Sequence, residues 1–289
     1  MKKRNWLLLL LIVLCLTAFF GYRKLDQLRT DTRAPQIHID EQPLEVSVRD
    51  DKSALLAGVT ASDNVDGDVT ASLVVERVNL TDSDGSISVS YAAFDSAGNV
   101  AKAKREGRYT DYERPRFTLN APLVYTVDHS FDVLSNVGAV DAIDGDIQHR
   151  VRATTKGTSS IMALGSHMVQ FQVTNSLGDT VSETFPEVIS SGIYNAALEL
   201  TDYLVYLPKD VQFYPAQYLK SFTWLGEQDS LAGGLPTDYS MRTRGTVQTG
   251  YPGVYTVEYR VTFTDRDEKN PDFDRKYTGY SKLIVVVEG

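Results

Sequence analysis

Two stretches 80 residues apart carry one pattern: Tyr91-Ala92-Ala93-Phe94-Asp95-Ser96-Ala97-Gly98-Asn99 and Phe171-Gln172-Val173-Thr174-Asn175-Ser176-Leu177-Gly178-Asp179. Each is an alternating run that stops at a polar turn with glycine, so a small all-β unit is repeated. Asp63-Asn64-Val65-Asp66-Gly67-Asp68-Val69 returns as Asp141-Ala142-Ile143-Asp144-Gly145-Asp146-Ile147 at an offset of 78, and Pro35 returns as Pro115 at 80. Landmarks in one order at a near-constant spacing make duplication the tightest constraint on the fold.

Between these landmarks the patterning has a period of two. Leu44, Val46 and Val48 alternate with Glu45, Ser47 and Arg49, while Val169, Phe171 and Val173 alternate with Gln170, Gln172 and Thr174. Such runs are strands with one buried face. From about Ile193 a longer, more aromatic unit follows, with an alternating strand at Tyr255–Phe263 and a final run Leu283-Ile284-Val285-Val286-Val287. It lacks the Asp-Gly-Asp and Gly-Asn landmarks and reads as a divergent copy. Units of this size with many short strands fit immunoglobulin-like sandwiches.

The start of the chain differs in kind. Lys2-Lys3-Arg4 precedes an apolar run from Trp6 to Tyr22, whose 17 residues are at the short end of a bilayer span. The exit lacks a clean small-x-small cleavage site and Leu14 spoils a lipobox at Cys15, so a retained signal anchor is expected. Basic residues ahead of the run place the C-terminal part outside the cell membrane. The expected organisation is all-β: three tandem immunoglobulin-like β-sandwich domains after an N-terminal transmembrane helix. It divides into a cytoplasmic stub (1–5), the anchor (6–22), a linker (23–33) and domains at 34–112, 113–191 and 192–289.

Beyond Cys15 there is no cysteine, so each domain relies on its own core, and a bacterial envelope is the expected setting. Five of the 29 basic residues and none of the 38 acidic ones fall within the first 24 positions, leaving the remainder at a net charge of −14. That balance argues against nucleic acid as a partner.

Ala34-Pro35-x-Ile37, Gly58-Val59-x-Ala61-x-Asp63, Asp66-Gly67-Asp68-Val69-Thr70 and Tyr91-x-Ala93-x-Asp95-x-Ala97-Gly98-Asn99 together resemble the bacterial immunoglobulin-like repeat of Gram-positive surface proteins. That repeat also occurs in pesticidal crystal toxins and is similar to the hyalin repeat. The second domain keeps Gly138-Ala139-x-Asp141 and Asp144-Gly145-Asp146 but replaces the closing Gly-Asn by Gly178-Asp179; the third is a weaker match. The resemblance implies spacer or adhesive modules on a cell surface, not a particular ligand.

Two constellations are candidates for chemistry. Asp63, Asp66 and Asp68, with Asp95 and Asn99 nearby, and Asp141, Asp144 and Asp146 in the second domain, offer the hard oxygen ligands that calcium takes. The EF-hand pattern is absent, since positions 3, 5 and 12 counted from Asp63 are Val65, Gly67 and Val74. The competing reading is that each Asp-Gly-Asp makes a tight turn whose carboxylates cap backbone amides. The last hundred residues hold 11 of the 16 tyrosines; Tyr206, Tyr214, Tyr218 and Trp224 are candidate sugar-stacking rings, against the alternative of core filling.

No zinc, nucleophile-elbow or paired-carboxylate pattern supports an enzyme, and no cofactor beyond a possible calcium ion is implied. The function expected is a membrane-anchored bacterial surface protein that binds, adheres or spaces. Its membrane partner is engaged through Trp6–Tyr22, and an extracellular protein or glycan is its other partner. The alternative is a structural subunit of an envelope assembly.

Overall fold

A computed structural model describes residues 2–29, 31–126, 132–155, 164–192, 194–266 and 274–289; within the N-terminal helix the side chains at 2–5, 7–9 and 24–29 lie outside that description. The chain forms two compact units, Met1–Tyr112 and Glu113–Gly289. Among the described residues the α-helix content is α1 (Lys2–Arg29), and everything else regular is strand or short 3-10 turn.

The first unit after α1 has seven strands: β1 (Gln36–Ile39), β2 (Leu44–Val46), β3 (Val59–Asp63), β4 (Gly67–Asp68), β5 (Val74–Leu80), β6 (Ser86–Phe94) and β7 (Val100–Tyr109). They make two sheets, β1-β3-β4 and β2-β7-β6-β5, with β2 parallel to β7. Leu44, Val59, Ala61, Ile87, Val89 and Tyr91 fill the space between the sheets. The Tyr91 hydroxyl, at the buried end of its ring, donates to the Leu55 carbonyl at 2.8 Å, which relieves the cost of burying it.

The second unit opens with the same plan: β8 (Arg116–Leu119), β9 (Val124–Thr126), β10 (Val137–Asp141), β11 (Gly145–Asp146), β12 (Arg152–Thr155), β13 (Gly165–Thr174) and β14 (Thr180–Ser190). Gln36 faces Ser62 as Arg116 faces Val140, and Phe94 faces Val100 as Thr174 faces Thr180. The two stretches that define the repeat therefore hold the same register in their own sheets. Their turns close alike, with Asp95 and Asn175 donating backbone N–H to residues 99 and 179, and Gly98 and Gly178 at φ of 86° and 91°. That left-handed conformation is why the turn takes glycine.

Seven further strands follow: β15 (Ala196–Leu200), β16 (Leu204–Leu207), β17 (Leu219–Trp224), β18 (Glu227–Ser230), β19 (Tyr239–Arg244), β20 (Gly253–Thr264) and β21 (Lys276–Val287). The plan recurs, with β16 parallel to β21, but β15 also pairs with β21 and joins the strands into one sheet. Tyr259 takes the part of Tyr91, its hydroxyl donating to the Pro215 carbonyl at 3.1 Å.

β21 explains why these last fourteen strands form one unit. Leu283, Val285 and Val287 pack into the core around Phe222 and Tyr259, whereas Ile284 and Val286 pack into the core around Phe117, Phe171 and Phe185. A strand buried on both faces reads as a continuous apolar run. Tyr206 adds to the seam by accepting from the Phe117 N–H at 3.0 Å. The expected boundary at 191/192 thus falls inside a unit whose two sheet systems share this strand.

Lys282 lies in the same seam, only 2% exposed, with its ammonium donating to the Pro186 carbonyl. Burial pushes it down to about 8, against the opposing pull of Glu258 and Glu187. Between that value and the ordinary 10.5 the folded state holds fewer protons than the unfolded chain, so stability rises as pH climbs through this window and levels off below about 8, where both states hold the proton. The stability difference between wild type and Lys282→Met, measured by denaturant titration, is expected to grow by about 2 kcal/mol from about pH 8 to about pH 10.

Candidate metal centre and a cationic sheet face

The ends of β3 and β6 meet the connector that follows α1. Asp63 closes β3, Asp95 follows β6, and Asp31 lies two residues beyond Arg29; one carboxylate oxygen from each lies within 4.8 Å of the others. Asp63 Oδ1 accepts the N–H groups of Val65 (2.7 Å) and Asp66 (3.0 Å), which hold its carboxyl below the ordinary range. Asp95, 9% exposed, accepts from the Asn99 N–H at 2.8 Å and from Asn99 Nδ2 at 2.7 Å. Asn99 Nδ2 also donates to the carbonyls of Asp31 and Arg33, both at 3.2 Å, tying the connector to the turn. Asp31 Oδ2 and Asp63 Oδ2 are shut off from solvent without a backbone or amide donor, and the two carboxyls interact with each other.

The other members of the expected acidic set are spent on the turn. Asp66 accepts from the Ser96 N–H (2.7 Å) and hydroxyl (2.8 Å), bracing the two loops against each other. Asp68 accepts from the Thr70 N–H at 2.9 Å, and Thr70, through its hydroxyl and its N–H, lowers the Asp68 pKa. Sequence reasoning missed Asp31, which lies in a polar linker without pattern.

The second copy satisfies the same place differently. Asp141 accepts from Ile143 and Asp144 N–H, both at 2.9 Å, and its other oxygen takes Asn175 Nδ2 at 3.1 Å. Asn175 stands where the first copy has Asp95. Arg114 forks onto Asp179 at 2.7 and 3.0 Å, and Arg150 binds Asp144 at 2.6 Å. Asp146 caps Gln148 at 2.9 Å. Asp111, 80 residues after Asp31, accepts instead from the Ser47 hydroxyl (2.7 Å) and Val48 N–H (2.8 Å) of the first unit.

A different surface lies on β19, β20 and β21. Arg242 faces Arg260, Arg260 faces Tyr280, and Thr264 faces Lys276, so these side chains share one sheet face. Arg242, Arg260, Thr264 and Lys276 line an open cleft of about 510 Å³ together with Tyr194, whose ring stacks on Tyr280 at 5.0 Å and 11°. Like charges directly opposite on a sheet are unfavourable. Among the described residues neither arginine has an ion-pair partner; Glu258, opposite Arg244, is the carboxylate on this face.

The expected sugar-stacking set does not assemble there. Tyr206 is in the seam beneath the Arg116 guanidinium (5.2 Å), Tyr218 is buried against Phe213, and Trp224 packs on Phe263 at 4.4 Å. Tyr214, 55% exposed, stands apart from them as an outward-facing ring. β16, β17 and the intervening 3-10 turn send Tyr206 to the core around Phe117, Tyr218 and Trp224 to the core around Phe222, and Tyr214 to solvent.

α1 covers the whole apolar run, and the described side chains from Leu10 to Phe20 are exposed. Among the described residues no helix is long and apolar enough to cross a membrane; Leu7, Leu8 and Leu9, inside the expected span, have side chains outside that description.

No family model matches the chain. The pesticidal crystal protein Cry22Aa of Bacillus thuringiensis is 27% identical over 210 residues, covering 71% of this chain and 27% of the relative, so the chain spans about a quarter of that protein. Among solved structures, the CBM51-2 and INT domains of Clostridium perfringens ZmpB align with a TM-score of 0.22 and 15% identity over 88% of this chain and 41% of theirs. The Protocadherin GammaB4 extracellular domain gives 0.20 and 11% over 86% and 49%, and mouse Cadherin-23 EC22-24 gives 0.20 and 13% over 88% and 99%. These neighbours are β-sandwich proteins like this one, and at such scores they carry no argument about what it does.

Proposed function

We propose that the chain is a bacterial surface protein of the immunoglobulin-like repeat type, held at its N-terminus in the membrane, whose last domain binds an anionic glycan. One observation carries the ligand assignment: in a chain of net charge −9, Arg242 and Arg260 stand opposite each other on an open sheet face and, among the described residues, neither forms an ion pair, with Lys276 and the stacked Tyr194–Tyr280 pair beside them and Glu258 as the one described carboxylate on the face. Carboxylates or phosphates on a polymer would supply that charge, and aromatic rings suit sugar faces. The exposed apolar side chains of α1 support the anchor, since a surface of that size ordinarily marks a membrane or protein contact.

The test is binding of the full chain, in mild detergent, to immobilised polygalacturonate. Arg242→Ala with Arg260→Ala is expected to weaken binding at least about tenfold, and added salt to weaken the wild type in the same direction. Equal retention by the double variant, with the protein eluting in a discrete envelope complex, would replace this function with that of an assembly subunit.

A further inference from the structure

We propose that the cleft on β19–β21 reads the spacing of charge along its ligand, selecting an acidic glycan whose anionic groups lie on alternate sugars; this rests on the anionic-glycan function proposed above. Sheet register divides the cleft into three rows on one face. Arg242 and Arg260 make the first row, Ser240, Thr262 and Thr278 the second, and Lys276 belongs to the third. Cations therefore stand at both ends with hydroxyls between them. Lys276 precedes Tyr280, the partner of Arg260, by four positions, so at roughly 3.4 Å per residue the two ends are about 14 Å apart along the backbone.

The end charges are available to a ligand. Arg242, Arg260 and Lys276 are exposed, and none of them forms an ion pair among the described residues. Carboxylates near the two ends are committed elsewhere. Glu258, one row beyond the arginines, takes the Tyr280 hydroxyl and lies opposite both Arg244 and Lys282, while Asp238, just ahead of β19, pairs with Arg266 at 3.5 Å. The middle row is neutral, with the Thr262 and Thr278 hydroxyls 3.1 Å apart. Tyr194 supplies a wall: the neighbouring Asn195 donates to the Lys276 carbonyl at 3.2 Å and accepts from the Thr278 N–H at 2.7 Å, which fastens the connector before β15 to β21. A ring held in this way suits the apolar face of a sugar.

This order of groups discriminates between glycans. The arginine pair grips one carboxylate through forked donors. A second carboxylate on the adjoining sugar falls over the hydroxyl row, where no cation compensates its lost water. One sugar further on, a carboxylate reaches Lys276, because the long arginine and lysine side chains lean inward and shorten the backbone span toward the length of a disaccharide. The neutral sugar between the two exchanges hydrogen bonds with Ser240, Thr262 and Thr278.

The full chain in mild detergent, at constant ionic strength, is titrated by calorimetry with two dianions: a hyaluronate tetrasaccharide, whose carboxylates lie on alternate sugars, and digalacturonate, whose carboxylates lie on adjacent ones. The tetrasaccharide is expected to bind at least about tenfold more tightly. Lys276→Ala is expected to erase that preference and leave digalacturonate binding unchanged, whereas Lys276→Arg keeps it; equal unfolding midpoints check that the variants are folded. Equal affinity of the wild type for the two dianions overturns the proposal, and so does a preference that survives Lys276→Ala, which would report ligand length alone. Failure of both oligosaccharides to bind overturns it as well, and the dependence of polygalacturonate binding on Arg242 and Arg260 then shows whether the anionic-glycan function falls with it.

Discussion

Ile284→Ala is expected to destabilise the whole of Glu113–Gly289 by about 3 kcal/mol, within the range for truncating a fully buried isoleucine. Ile284 is 1% exposed, but its side chain lies in the core of the preceding sandwich, around Phe117 and Phe171, while its backbone belongs to β21 of the last sheet. A cavity there loosens one sandwich and the strand that anchors the other. Thermal unfolding should therefore show one transition for this unit, displaced by roughly 6–12 °C, with the transition of Met1–Tyr112 unmoved. Two separate transitions, with one displaced, would mean that the two sheet systems fold independently.

Arg105→Ala should cost the first unit about 3 kcal/mol. The guanidinium is 7% exposed and donates to the Ala57 carbonyl at 2.6 Å, to Asp40 at 2.6 Å and to the Gln42 carbonyl at 2.5 Å. Truncation leaves three acceptors around a hole, including a carboxylate that loses its counter-charge. Arg105→Lys retains the charge but presents it as a single point, so it should recover only part of the loss. The measurement is the denaturant midpoint of the first unit in the two variants; equal stability of Arg105→Ala and wild type would show that β7 is held by its ladder alone.

Much of the fold was legible because its landmarks are backbone requirements. Gly98 and Gly178 sit at positive φ, and Tyr91 and Phe171 fill equivalent core positions, so sequence pattern and structure report the same constraint. The stretch from Ala196 onward was harder to read because it keeps the strand plan without those turns. In sequence the uninterrupted run Leu283–Val287 reads only as a final strand rich in β-branched residues; its burial on both faces, and hence the shared seam, came from the structure.

The candidate metal centre was half legible. Asp63 and Asp95 stood out through their motifs, yet the third carboxylate is Asp31, brought in by a connector with neither periodicity nor turn signal. Asp66 and Asp68 stood out equally and proved to hold Ser96 and Thr70. Spacing shows which residues share a loop, while hydrogen bonding decides which oxygens remain for a ligand. The cationic face escaped notice because Arg242, Arg260 and Lys276 come from three strands and meet only through register.

An experimental structure of the chain from Asp31 onward is the most direct measurement. Superposing β1–β7 on β8–β14 should bring Tyr91–Asn99 onto Phe171–Asp179, with Asp95 and Asn175 coinciding. Segments in unrelated surroundings, or helices in place of these sheets, would contradict the duplicated-sandwich account.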